Sequence, residues 1–486
     1  MLEQQQTISF SDYSGLYDLI IPKDNLLRQI NDLVDFNFVY RELQDKYCRD
    51  NGRTAESPIR MFNYLLLKVI YNISDVDVVE RTRYDMSFKY FLGLTPEETN
   101  LINPSSLTKF RRLRLKDMNL LDLLIRKTVS IAIEKGVLKS KTIIVDATHT
   151  LSRSNPIGAS KILEHYSKSV VKVVKSVNDD IVLPDLPEEK KYSSVMNVAK
   201  TIVATVEADA ATANMPAVKE RLNMLKETID DAETRCVISK DEDARVGHKT
   251  PTSSFFGYKT HIAMSDERVI TAATVTSGEK GDSPQLPELI EKTESAGMEI
   301  ESVVADTAYS SKSNLELAKS KDIKLAARLN PIIVNGTGQH KLQFEYNKDA
   351  GLYVCPAGHM ALYKERKNRP SDERHRNAKM IYYYDVDKCK VCPLRDGCYK
   401  PGAKTKSYHV TIKTDEQVEQ IKFQESDEFK RLHRKRYKIE AKNAELKNAL
   451  GYDRALSYGL SCMEMQGALT IFAANVKRIL KLMQEA

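Results

Sequence analysis

The hydrophobic positions of this chain change period several times, and those changes divide it. Over the first 140 residues the period is helical. Leu26, Leu27, Ile30, Leu33 and Val34 recur at helical steps behind Asp24, a residue able to cap a helix start. Leu19–Pro22 reads as an early strand or turn. Met61–Ile70 is apolar on nearly every side, which predicts a buried helix. Ser74 offers an N-cap to a helix beyond it, and Asn103–Pro104 opens another. From Thr142 the period shortens: Thr142–Val145 is a β-branched run ending on Asp146. Residues 154–240 return to amphipathic helix over Ala159–Val177, Tyr192–Ala211 and Ala217–Thr234, with Pro184, Pro187 and Pro216 between them. Phe256–Met264 alternates, Asp266–Glu267 turns and Val269–Val275 returns, which predicts a hairpin. A helix over Ser283–Ala296, a buried strand ending on Asp306, a helix over Ser311–Lys319 and a short strand over Lys324–Leu329 follow. The pattern is broken over 330–420. No Gly or Pro then occurs between Glu425 and Leu450, and Leu432, Ile439 and Leu446 recur every seven residues. Gly451 supplies a stop, so one continuous helix is expected.

The chemistry sits at the ends of these elements. Two apolar strands each deliver an Asp at the C-terminal end, where open α/β sheets place their sites. On the late helix His433, Arg436, Glu440 and Lys447 lie three, four and seven residues apart and share a face. One carboxylate therefore stands among cations. Taken singly each feature is ordinary, since an Asp often just ends a strand and most charge runs are solvated faces. The order of the three is rarer.

Composition narrows the class. A length of 486 residues allows roughly two to four structural units. The net charge of +7 leans toward a polyanionic partner. Lys109, Arg111, Arg112, Arg114 and Lys116 follow the Asn103 cap, an arrangement suited to phosphate and equally to a plain surface helix. MLEQQQTISF lacks the features of a signal peptide, and no apolar run approaches the ~20 residues needed to cross a bilayer. The expectation is a cytoplasmic protein with no membrane contact. Seven Cys in a chain of this length do not make a disulfide framework. Four of them, Cys355, Cys389, Cys392 and Cys398, have spacing suited to a structural Zn²⁺, with His359 as an alternative ligand. Free thiols or a redox pair are the other readings. Cys48, Cys236 and Cys462 have no partner spacing and are expected to be buried apolar residues.

The carboxylate-bearing stretches resemble a known family. IIVDAT around Asp146, VVADTAYSS around Asp306 and RYKIEAKNAELK around Glu440 are similar to the text of bacterial insertion-sequence transposases with a DDE catalytic core of RNase H-like fold. Arg436, Glu440 and Lys447 match the Arg-Glu-Lys part of that family's signature. Its usual Tyr falls on His433 here, a departure. The resemblance implies an α/β fold with an RNase H-like mixed sheet. A helical N-terminal DNA-binding domain would occupy 1–140 and the core 141–153, 245–330 and 422–486. A helical insertion would fill 154–244, serving dimer contact or DNA support, and a cysteine-bearing, zinc-knuckle-like insertion 331–421. It implies Asp146, Asp306 and Glu440 as catalytic ligands of Mg²⁺ or Mn²⁺. Arg436, Lys447 and His433 would contact DNA beside them, and Lys109, Arg111, Arg112 and Lys259 elsewhere. Lys249 and His261 are further candidates for DNA contact, and Tyr309 and His149 would line the pocket or pack in the core. The activity implied is cleavage at transposon ends and joining of the 3′-OH to target DNA. The partners would be terminal inverted repeats, target DNA and a second copy of the chain or more in a synaptic complex, in a bacterial cytoplasm at the nucleoid. A domesticated, inactive DNA-binding protein and a metal-dependent nuclease without strand transfer remain open.

Overall fold

The long strand β1 (Thr142–Leu151) is the axis of the molecule. The computed structural model describes residues 11–48, 54–116, 118–155, 157–187, 191–234, 237–250, 252–331, 333, 344–367 and 377–485. The central sheet has six strands: β1, β2 (Arg245–Thr250), β3 (Ser253–Ser265), β4 (Ile270–Ser277), β5 (Ser302–Val304) and β6 (Lys324–Ala326). Antiparallel β3 lies on one side of β1, with Ile143 opposite Ser265 and Leu151 opposite Gly257. Parallel β5 and β6 lie on the other. The far edge of β3 pairs with β2 along its first half and β4 along its second. Gly257 is required at the close approach of β3 to β1, because a Cβ there would sit 2.1 Å from the Thr150 carbonyl oxygen.

Alternating side chains send the strands' residues into two cores. Ile144, Ile262, Met264 and Val304 join a core shared with the N-terminal helices. Ile143, Val145, Ala263 and Val303 join a second core beneath the helices of the other face. The helices that matter here are α1 (Pro58–Tyr71), α2 (Leu120–Glu134), α3 (Leu286–Ser295), α4 (Lys312–Ser320), α5 (Asp415–Glu425), α6 (Asp427–Arg434), α7 (Tyr437–Leu450) and α8 (Leu460–Glu485). α8 is buried along most of its middle and packs Phe472 against Phe36, Phe38 and Phe62, so the two ends of the chain share one core. Residues 159–234 form three helices, Ala159–Val177, Tyr192–Ala208 and Pro216–Thr234, around a separate core that includes Leu163, Val170, Ile202 and Leu225. A two-stranded tie between Ile157–Gly158 and Val237–Ile238 closes the base of this unit.

Several expectations are corrected. Leu19 and Ile20 end a helix, Gly15–Ile20, not a strand. Asn25 rather than Asp24 caps the helix Leu26–Leu33, accepting from the Leu27 and Arg28 amides. β2 had no pattern to announce it. The late helix is not continuous. Ser426 takes the N-cap of α6, and the chain tightens again at Lys435–Arg436, where i→i+3 bonds run from Arg436 N to His433 O and from Ile439 N to Arg436 O. Lys435 and Lys438 both reach the Asp266 carboxylate there, at 2.9 and 2.5 Å, which holds the bend. The stripe survives it: Leu432, Ile439 and Leu446 are all buried. Cys48 and Cys462 are exposed, not core residues, because each lies on an outer surface of its element. Cys236 lies outside the described residues, as do 334–343 and 368–376 of the cysteine-bearing region.

Candidate active site

Parallel pairing fixes the first two carboxylates. Thr142 lies opposite Ser302 and Ile144 opposite Val304. Two residues further along come Asp146 and Asp306, level by that register. Asp306 lies just past the end of β5, but Asp146 is in the middle of β1 and does not end its strand as expected, because pairing with β3 carries β1 on to Leu151. Asp306 then caps a short turn, accepting the Ala308 amide at 2.9 Å. Asp146 Oδ2 accepts from Asn443 Nδ2 of α7 at 3.1 Å. A third carboxylate comes from the loop after β4: Asp282 Oδ1 is 2.9 Å from Lys259 Nζ and 3.7 Å from the His261 ring. Burial pushes the Asp146 pKa up to about 6; Asp306 and Asp282 add to the rise and the Arg436 guanidinium opposes it. Tyr309 lies wholly buried beneath these groups as a core residue, its hydroxyl without a hydrogen-bond partner.

A raised carboxylate has a stability consequence. Between its ordinary pKa and about 6 the folded state binds more protons at Asp146 than the unfolded state, so metal-free protein loses stability as pH rises through that window. The loss is on the order of 2–3 kcal/mol at neutral pH. Asp146→Asn should therefore melt a few degrees higher than the parent at pH 8 in chelator, with the gap closing by pH 4. Equal melting at pH 8 would refute the electrostatic account.

The face of α7 turned toward β1 carries Arg436 at its N-cap, then Glu440, Asn443 and Lys447. Lys447 Nζ is 3.5 Å from His149 Nδ1. Burial, with Lys447, Lys249 and Lys259 nearby, brings the His149 pKa down to about 4, so this ring is neutral at pH 7. Glu440 stands between Arg436 and Asn443 on the same face, but its side chain is 59% exposed and its Oε1 pairs with Arg436 Nη1 at 3.5 Å. The structure thus brings Asp146 and Asp306 together and leaves Glu440 on the rim. Among the described residues no group of three or more His, Cys, Asp or Glu side chains is arranged to hold a metal ion. Glu445 faces away, bound to the buried Lys442 at 2.7 Å.

The other anticipated residues scatter. His433 stacks on Phe429 at 5.5 Å within α6. Lys109 and Arg112 are exposed. Arg111 is engaged within the fold: its guanidinium grips Asp75, Nη1 to Oδ1 at 3.1 Å, and Lys68 shares that carboxylate at 2.6 Å. Lys259 is held by Asp282 and by the Lys280 carbonyl. Cys355, Cys389, Cys392 and Cys398 line one small cavity with His359, and Leu394 N donates to Cys392 Sγ at 3.4 Å. Burial raises the Cys389 thiol, and the other three thiols add to it. Two residues of the site had gone unread. Asn443 was legible in retrospect, three positions after Glu440 on one face. Asp282 was not, because no strand leads into it.

Residues 16–113 match a family described as Transposase domain (DUF772), and residues 354–480 match Transposase DDE domain. The chain is an insertion-sequence transposase of the DDE type. No curated protein matches it. The first match covers α1 and reaches into the basic segment at Lys109–Arg112; the second covers the four cysteines and α5 to α7, with Glu440, and most of α8. Transposases of this kind are DNA enzymes and normally use divalent metals such as Mg²⁺. Among the described residues of the transposase no helix is long and apolar enough to cross a membrane.

Proposed function

We propose that this transposase cleaves DNA at the ends of its element and joins the freed 3′-OH to target DNA, using Asp146, Asp306 and Glu440. The observation that supports this reading is the register of β1 against β5, with Asp146 in mid-strand level with Asp306 just past the end of β5, and the Arg436–Lys447 face of α7 beside Asp146. The strand order, with antiparallel β3 on one side of β1 and parallel β5 and β6 on the other, is what an RNase H-like core requires.

The donor set fits a hard cation. Asp146 and Asp306 offer carboxylate oxygens, and the Asp146 charge is costly without a counter-charge. Asn443 Oδ1, Tyr309 Oη and Arg436 Nε are buried beside them without partners. Asp146 and Asp306 would hold a divalent ion there, which would supply charge neutralisation to the phosphate and to the attacking and leaving oxygens. Asn443 fixes the orientation of the Asp146 carboxylate. Glu440, whose exposed pair with Arg436 is worth about 1 kcal/mol or less, would be the third residue to hold the ion. The Arg436 guanidinium and Lys447 would hold DNA phosphates on either side. Lys109 and Arg112 contact the element's end from the N-terminal helices, and two or more copies pair the ends.

The test is nicking of a duplex carrying the gene's own flanking repeats, in Mg²⁺, Mn²⁺ or chelator, with Asp146→Ala beside the parent. Metal-dependent cutting at the repeat boundary, followed by joining to plasmid DNA, supports the reading. Cutting without joining leaves a nuclease, and binding without cutting leaves a domesticated DNA-binding protein.

The four cysteines belong to the same proposal as a structural Zn²⁺ site. What supports it is their spacing, their shared cavity and the amide donated to Cys392 Sγ; among the described residues the four thiols are not gathered as a metal-holding group, so binding would draw them together. Cys392→Ser should lose one equivalent of zinc by elemental analysis and expose the surrounding aromatic cluster of Phe344, Tyr382 and Tyr384. Unchanged metal content would reject the site.

A further inference from the structure

The helix Ala159–Val177 of the insertion carries Lys161, His165, Lys168, Lys172 and Lys175 at steps of four, three, four and three, and all five are exposed. Such steps keep them within one narrow stripe. The buried residues of the same helix, Leu163, Ser167, Val170 and Val174, fall on the opposite side against the other two helices. The stripe therefore points away from the insertion's own core. It spans about 21 Å along the helix axis.

The rest of the insertion is different. Helix Tyr192–Ala208 has one Lys and one Glu, and helix Pro216–Thr234 has three cations against five acids. Their charges are paired across the unit, Lys200 with Glu233 at 2.5 Å and Lys226 with Glu207. Among the described residues, Lys168 alone on the stripe has such a partner, Glu164 at 2.7 Å. A row of lysines so little neutralised is costly by self-repulsion and suits a polyanion with evenly spaced charges. The helix also starts just beyond the C-terminal end of β1, the strand that carries Asp146, and its base is tied there by Ser152 to Asp241 and by Ser154 to Ser239.

We propose that the outer face of helix Ala159–Val177 is a second, sequence-independent contact to the DNA backbone, engaging the duplex as it leaves the cleavage site. This rests on the transposase reading. The test measures the affinity of the full-length protein for a duplex bearing one flanking repeat, and for a random duplex of equal length, across a salt series. The variant combines Lys161→Gln, Lys168→Gln, Lys172→Gln and Lys175→Gln. A control combines Lys219→Gln, Arg221→Gln and Lys226→Gln on the third insertion helix. Each lost phosphate contact reduces the slope of log affinity against log salt by about 0.9, so the quadruple variant should lose about 3.6 from the slope and bind both duplexes at least about tenfold more weakly at low salt. The control should keep the parent's slope. A quadruple variant with the parent's slope and affinity overturns the proposal, as does loss of self-association at unchanged DNA affinity. If the quadruple variant melts early, Lys172→Gln with Lys175→Gln alone should remove about 2 from the slope, and an unchanged slope there is equally decisive. A parent protein that binds neither duplex overturns the transposase reading itself, and the stripe falls with it.

Discussion

Asp146→Ala will bind the element's end as the parent does and cut it at no measurable rate, while Glu440→Gln will cut on the order of a hundredfold more slowly. The reasoning is geometric. Asp146 is the most enclosed of the site's carboxylates and touches both the sheet and α7. Glu440 sits on the rim and changes little shape when its charge is removed. The informative comparison is Glu445→Gln, five residues along the same helix. That side chain neutralises Lys442, which is 1% exposed, so the variant should lose about 2–3 kcal/mol of stability by denaturant titration and keep its cleavage rate. If Glu440→Gln cuts normally, Glu445 is no substitute, because it faces away; Asp282 becomes the third ligand instead.

The second large effect is structural. Asn475 of α8 is fully buried. Its Oδ1 accepts the Ile270 amide at 2.8 Å, and its Nδ2 donates to the Ile270 carbonyl at 2.8 Å and to Thr128 Oγ1 at 2.9 Å. One amide therefore ties α8, α2 and β4. Leu at this position fills similar space but leaves a buried N–H and C=O without partners, a cost of about 3–5 kcal/mol. The unfolding midpoint in urea should fall sharply; a change below about 1 kcal/mol would show that water or a shifted backbone satisfies the groups.

How much of this was legible depends on the range of the interaction. The strands that carry or lead to Asp146 and Asp306 and the three insertion helices announce themselves by local period, but β1 runs five residues past Asp146 because β3 continues to pair with it, which the local pattern does not show. The break at Lys435–Arg436 does not announce itself, since it is made by Asp266, far away in sequence. Arg111 carried the same trap. Its basic neighbourhood points to phosphate, and only the fold reveals that Asp75 claims it. Asp282 is reached through the loop that follows β4, so no periodicity marks it.

The shared core of α8 with the N-terminal helices has a consequence for synthesis. On the ribosome, α1 and α2 emerge some 340 residues before their central packing partner. Until Phe472 and Asn475 arrive, the nascent N-terminal region has an open apolar face and no mate for Thr128. A message cut short before Leu460 should thus yield an N-terminal fragment that lacks part of its own core and does not fold stably alone.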